Sequence, residues 1–208
     1  MSKVDFYTNP MSRGQIARWA LHEAEVDYVQ HLLTYGDTMK NSQYLLINPM
    51  GKVPAIVHEG KAITECAAIC AYLAEAFPES GLKPSQDELA DYYRWLFFAA
   101  GPVESAVTNH AAGFDPSADR EMMFGYGNYD RVIDVLDAHF GDRAFVCGSR
   151  FTAADVYVGS QIIWGTQFGT MPQRDNFAAY VERLIARPHY QAAKAIDTAL
   201  IAESQTTK

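Results

Sequence analysis

Two rhythms of apolar residues run through this chain, and the place where one of them stops divides it. From Val4 to Phe77, stretches alternating at a period of two are interleaved with stretches at the helical period. From Glu88 onward only the helical period remains. The first part begins with "VDFYT" (Val4 to Thr8), a short strand ended by Asn9-Pro10. "SRGQIARWALHEAE" then places Ile16, Trp19, Ala20 and Leu21 at close to helical spacing, and "DYVQHLL" (Asp27 to Leu33) alternates as a strand does. The polar "TYGDTMKNSQ" reads as a loop or a short irregular helix. "PAIVH" and "KAIT" are short strands joined by a tight hairpin turn at Glu59-Gly60. "ECAAICAYLAEAF" closes the part with Ile69, Tyr72, Leu73, Ala76 and Phe77 on one helix face.

The order is βαβ, then a ββ hairpin, then α. A strand–helix–strand unit calls for a parallel pair, and the hairpin adds antiparallel strands to it. "FPESGLKPSQDE" breaks the pattern with two prolines and a glycine. The predicted division is therefore a mixed α/β domain over 1–78, a linker over 79–87 and an all-α bundle over 88–208. In the bundle, "ELADYYRWLFFAAGPVESAVTNHAAGF" reads as one long helix kinked or interrupted at Gly101-Pro102, where proline removes a backbone donor. "TAADVYVGSQIIWGTQFG" is apolar on most sides and belongs in the middle of its domain. Thr152 and Asp155 have capping-box spacing at its start.

Composition removes several functions. A net charge of −8, from 17 basic and 25 acidic side chains, argues against a nucleic-acid partner. The start "MSKVDFYTNP" has no apolar signal core, and no apolar stretch approaches the ~18 residues of a membrane span. Three cysteines without framework spacing predict reduced thiols in the cytoplasm. The six histidines show no HxxxH spacing and the cysteines no CxxC, so no metal site is expected.

"NPMGKVPAI" followed by "ITECAAICAYL" resembles the glutathione-binding half of the cytosolic glutathione transferases, and "GSRFTAADVYVG" resembles the folding segment of their second domain, with Gly148, Thr152 and Asp155 at the family's spacing. The resemblance covers the whole chain. It implies a thioredoxin-like first domain and an all-helical second one, with glutathione as co-substrate and a homodimer as the assembly. It also implies that Val53, ahead of a cis Pro54, pairs by backbone with the cysteinyl part of glutathione, as in strand addition. From the residues alone, a trans proline in an ordinary turn remains open, since only for proline is a cis bond cheap.

Glu65 and Cys66 stand where the next helix should begin, and free N–H groups at a helix start favour an anion. In the family this pair holds the γ-glutamyl end of glutathione. Cys66 replaces the usual serine, and a thiol is the weaker donor, so weaker binding is expected. Cys66 and Cys70 read as small residues on one helix face. Lys52 is either a contact to the glycyl carboxylate or a solvated loop residue, and Lys40 is a weaker candidate for that contact. Glu104 is a candidate for the γ-glutamyl ammonium in the adjoining subunit.

Ser12 carries two readings. With Gln15 it has capping-box spacing, S-x-x-Q. It also falls where the serine-type transferases carry the hydroxyl that activates the thiol; Asn9 ranks second and Tyr7 third. Arg13 stands near the position of the cysteine-type enzymes, which excludes mixed-disulfide chemistry through it. Lowering a thiol from about 8.5 by about two units takes roughly 2.7 kcal/mol. One hydrogen bond to a charged acceptor supplies about 1.5–3 kcal/mol and a helix N-terminus about 0.3–1 kcal/mol, so one hydroxyl is enough. Capping and activation are compatible. The reading is a glutathione transferase acting on small hydrophobic electrophiles in detoxification, with Phe97, Phe98, Val103, Val107 and His110 as the place to look for the acceptor's pocket. A glutathione-dependent peroxidase, disulfide reductase or isomerase is the alternative enzyme, and a non-catalytic glutathione-binding or interaction module the alternative outside catalysis.

Overall fold

The computed structural model describes residues 3–206; residues 1–2 and 207–208 of the two expected domains lie outside them. Strand β1 (Val4–Thr8), helix α1 (Gly14–Glu23) and strand β2 (Tyr28–Leu32) form the βαβ unit. A single turn of helix, α2 (Ser42–Leu45), precedes strands β3 (Ala55–His58) and β4 (Lys61–Thr64) and helix α3 (Cys66–Ala76). The sheet order is β2-β1-β3-β4, with β1 parallel to β2 and the other pairs antiparallel. This is the βαβ–ββα order of a thioredoxin-like domain.

Alternation along β1 separates the two faces of the sheet. Val4, Phe6 and Thr8 are buried, and the Arg18 guanidinium of α1 lies 5.2 Å from the Phe6 ring centre. Asp5 and Tyr7 point to the other face, where Tyr7 stacks on His31 at 4.4 Å and tilts against Tyr44 of α2. His58 pairs with Lys61, so Glu59 and Gly60 form the hairpin turn; both take positive φ, 51° and 74°, as two-residue primed turns demand.

The remaining helices are α4 (Leu89–Phe98), α5 (Glu104–Ala111), α6 (Tyr129–His139), α7 (Ala153–Phe168), α8 (Asp175–Ile185) and α9 (Pro188–Thr206). At Gly101-Pro102 the helical path changes pitch: a π-helical turn, Ala99–Val103, joins α4 to α5 around the missing proline donor. Helix α7 is buried from Ala153 through Ser160, and Thr152 with Asp155 closes the expected capping box. Asp155 also accepts from the Val146 N–H at 2.7 Å and the Tyr180 hydroxyl at 2.9 Å. Helix α6 begins only at Tyr129, where the Asn128 side chain accepts from the Arg131 N–H.

The chain divides into two compact units, one made of residues up to Lys83 together with those from Ala186, the other Pro84–Ile185. The sequence reading put everything after 88 in the helical domain; helix α9 instead packs on α1 in the first unit. Buried charge explains the return. Arg18 Nε donates to Asp197 at 3.0 Å with both side chains at most 1% exposed, and Arg18 Nη1 donates to the Tyr28 hydroxyl. Arg187 makes two 2.7 Å bonds to the buried Glu23, which also accepts from Trp19 Nε1.

Two predictions follow from this packing. Asp197→Ala leaves the Arg18 guanidinium buried without its charge partner, which costs about 3–5 kcal/mol; urea unfolding measures it, and a loss under 1 kcal/mol would mean that the pair contributes no more than a surface one. The second concerns Asp155, whose carboxyl is pushed up to about 6 by burial, against the four hydrogen bonds that pull it down. An unfolded aspartate titrates near about 3.9. Folding therefore takes up a proton between about pH 4 and pH 6, and the contribution of Asp155 is greatest below that window and lost as pH rises through it. The stability of the wild type relative to the non-titrating Asp155→Asn should fall across the window and stay level above it. A difference independent of pH contradicts this account.

Candidate functional site

Strand register gathers the candidate residues at one end of the sheet. Tyr7 of β1 pairs with Ala55 of β3, and Ala55 pairs with Thr64 of β4. The segments that leave the sheet here are residues 9–13 ahead of α1, the Val53-Pro54 approach to β3, and Glu65 ahead of α3. Cys66 ties two of them together: its thiol donates to the Arg13 carbonyl across 3.5 Å, linking the starts of α1 and α3. Two helix N-termini, each with a partial positive charge, thus lie beside each other; in α1 the Gly14, Gln15 and Ile16 N–H groups are already taken by Ser12 and Arg13.

Ser12 is half-buried, with its oxygen accepting from the Gly14 N–H at 2.9 Å and its proton donated to the Asn9 carbonyl at 2.6 Å. The hydroxyl thus holds the start of α1, but the S-x-x-Q box does not form. The helix begins at Gly14, and the Gln15 side chain is drawn elsewhere, donating to the Pro10 carbonyl and accepting from Lys194. Asn9 is 8% exposed and engaged at both ends of its amide: Nδ2 donates to the Leu33 carbonyl and Oδ1 accepts from the Met11 N–H. Tyr7 points to the opposite face of the sheet from α1, and burial, then the Asp5 charge, raise its hydroxyl above the ordinary tyrosine value.

The Val53-Pro54 peptide is cis, with Pro54 buried and Val53 half-buried. Among the described residues neither the N–H nor the C=O of Val53 has a hydrogen-bond partner. Lys52 is exposed, and its carbonyl accepts from Tyr44 and Asn48. Lys40 donates to the Met50 carbonyl at 3.1 Å. The sequence reading passed over Tyr44 and Asn48. Asn48 had a signal, since an Asn before Pro-x-Gly is a turn residue whose side chain bonds backbone two positions on; Tyr44 had none.

Glu65 is exposed and sits at φ 63°, ψ 120°, a conformation that favours glycine. Such a residue carries about 1–3 kcal/mol of strain. Cys66 is 7% exposed, and Cys70 is fully buried, which raises its thiol well above the ordinary range. Glu104 lies in the second unit at the start of α5, half-buried, and accepts from the Tyr157 hydroxyl at 3.3 Å. Of the apolar candidates on α4 and α5, Val103 is fully buried in the core of its unit and Phe97 is 72% exposed. Among the described residues no group of three or more His, Cys, Asp or Glu could hold a metal ion, and no helix is long and apolar enough to cross a membrane.

A thioredoxin-like unit with an anion-favouring end, joined to a unit built of helices, defines a class of two-part protein. A family model described as "Glutathione S-transferase, N-terminal domain" matches residues 6–81, and one described as "Glutathione S-transferase, C-terminal domain" matches 106–183. The chain belongs to the glutathione S-transferase family. It is similar to glutathione S-transferase GstA of Escherichia coli O157:H7, at 27% identity over 81% of this chain and 82% of that protein. It is also similar to glutathione S-transferase GST-4.5 of Xanthomonas campestris pv. campestris, at 27% identity over 91% and 97%. Among solved structures, a glutathione transferase from Methylococcus capsulatus superposes with a TM-score of 0.77 at 26% identity, covering 94% of this chain and 99% of that one. A sphingomonad glutathione S-transferase complexed with glutathione shares the fold, with a TM-score of 0.75 at 23% identity over 93% and 98%.

The backbone of Glu65 separates stability from recognition. Glu65→Gly should leave the melting temperature unchanged or higher, since relief of the strain offsets the added freedom of the unfolded chain, ~0.4–1 kcal/mol. The same variant should bind glutathione several-fold more weakly if the carboxylate meets the γ-glutamyl ammonium. A lowered melting temperature would show that the Glu65 backbone is not strained.

Proposed function

We propose that the protein is a glutathione transferase which binds glutathione in its first unit, stabilises the thiolate with Ser12, and directs it at a small hydrophobic electrophile. The observation that carries this reading is the meeting, at one end of the sheet, of the Ser12 hydroxyl, the unpartnered backbone of Val53 and the N-terminus of α3 with Glu65. Each matches one part of glutathione in chemistry. The backbone N–H and C=O of Val53 suit the cysteinyl peptide. The α3 N-terminus suits the γ-glutamyl carboxylate, and Glu65 its ammonium. Cys66 spends its proton on Arg13, so the carboxylate is held by backbone donors. Lys52 is the nearer of the two lysines in sequence to Val53 and exposed, which favours it over Lys40 for the glycyl carboxylate. Glu104 is kept as the contact from the adjoining subunit of a homodimer.

Ser12 has a single proton, and a thiolate must win it from the Asn9 carbonyl. A neutral hydrogen bond nets about 0.5–1.5 kcal/mol and one to a charged acceptor about 1.5–3 kcal/mol. The charged acceptor prevails, and the hydroxyl turns to sulfur while its oxygen still receives the Gly14 N–H. The reading includes a cytoplasmic location, supported by three cysteines in the thiol form, and a role in removing reactive electrophiles.

The test is the ultraviolet thiolate absorbance of bound glutathione as a function of pH. In the wild type the bound thiol should titrate about two units below its free value of about 8.5, and in Ser12→Ala it should rise toward that value while glutathione still binds. Conjugation of an aromatic halide should fall in parallel at neutral pH. A wild-type thiol that titrates at its free value would favour a binding module, and oxidised glutathione as the product would favour a peroxidase or reductase.

A further inference from the structure

The peptide that joins Lys52 to Val53 is gripped from one side. Its carbonyl oxygen accepts from the Tyr44 hydroxyl at 2.5 Å and from Asn48 Nδ2 at 2.8 Å. An sp² oxygen has two lone pairs, and both are used here. The donors are themselves fixed, with Tyr44 and Asn48 only 3% and 4% exposed. Burial raises the Tyr44 hydroxyl to about 12, so it stays a donor at every physiological pH. The loop between them is closed by short bonds: the Met50 N–H to Asn48 Oδ1 at 3.1 Å, the Gly51 N–H to the Asn48 carbonyl at 2.8 Å, and Lys40 Nζ to the Met50 carbonyl at 3.1 Å. Gly51 sits at φ 58°, and a Cβ on it would lie 2.7 Å from the Met39 carbonyl oxygen, so the backbone passes there without room for a side chain.

A peptide group is planar, and in its trans form C=O and N–H point in opposite directions. The Lys52 carbonyl and the Val53 N–H belong to the same group, and Val53-Pro54 is the one cis bond among the described residues. Holding the carbonyl toward Tyr44 and Asn48 therefore aims the Val53 N–H directly away from them, where among the described residues no partner meets it. We propose that Tyr44 and Asn48 are positioning residues for glutathione: by clamping the Lys52 carbonyl they set the direction in which the Val53 N–H meets the cysteinyl carbonyl of the tripeptide. Neither side chain touches the substrate. Their effect is on preorganisation, since a donor already aimed does not lose orientational freedom on binding. The inference rests on the reading of Val53 given above.

The probe is a pair of ligands, glutathione and an analogue in which a trans-alkene replaces the cysteinyl–glycyl amide, removing the carbonyl that would accept from Val53. Both are titrated calorimetrically into the wild type, Tyr44→Phe and Asn48→Asp. Tyr44→Phe keeps the ring in its packing and deletes only the hydroxyl. Asn48→Asp keeps the acceptor for the Met50 N–H and replaces the donor to Lys52 with an oxygen. The wild type should bind the alkene about tenfold more weakly than glutathione, the worth of one hydrogen bond. In each variant glutathione itself should bind about five- to tenfold more weakly, and the further penalty for the alkene should shrink to about twofold or less. An alkene penalty as large in both variants as in the wild type overturns the clamp, because Val53 would then be aimed without it. A wild type that fails to bind glutathione, or binds the two ligands equally, overturns the reading of Val53 itself.

Discussion

Antiparallel pairing of three strands, with Tyr7 opposite Ala55 and Ala55 opposite Thr64, is the constraint on which everything at the site depends. Side-chain direction in a strand has a period of two, so a slip of one residue in either pair would turn the buried set outward. The same slip would carry Val53 or Glu65 along the sheet by one residue's rise, about 3.3 Å, more than a hydrogen bond is long. The core and the site therefore share one register. Burial of Phe6, Ala55 and Ile56, each 0% exposed, secures the alignment of groups that themselves contribute little to stability.

What is gathered there is mostly backbone. Val53 presents a peptide group, the start of α3 presents N–H groups, and Arg13 takes the Cys66 proton through its carbonyl. Such groups are recognised by direction, and direction is supplied by neighbours that never reach the ligand. Ser12 differs in having a proton that can change partner, and its present partner, the Asn9 carbonyl, is a neutral one. Asn9 in turn is immobilised through Leu33 and Met11, which leaves the hydroxyl as the movable part of that corner.

Much of this was legible in the sequence, and the exceptions have a common cause. The strands and helices of the first unit follow from their periods, the Glu59-Gly60 hairpin from turn chemistry, and the Thr152–Asp155 box from a three-residue spacing that the local chain alone can satisfy. The Ser12–Gln15 spacing is equally regular, yet Gln15 bonds to Pro10 and to Lys194, a residue 179 positions away. The return of α9 to the first unit rests on Arg18 and Asp197, also 179 apart. A bond to a carbonyl, such as that of Tyr44 to Lys52, leaves no trace in side-chain pattern, because every residue has a carbonyl. Local spacing shows what a segment can do, and distant partners decide which option it takes.

The return of α9 also has a consequence for how the molecule is made. The first unit is discontinuous in sequence, and among the described residues its buried Arg18 finds its charge partner, Asp197, in the last helix. During synthesis, domains fold as they emerge, N-terminal ones first. Here the sheet and its helices emerge first but must wait for the whole of Pro84–Ile185 before the charge at their centre is neutralised. The central unit, continuous in sequence, has no such delay. Synthesis order and completion order are thus reversed for the unit that begins the chain.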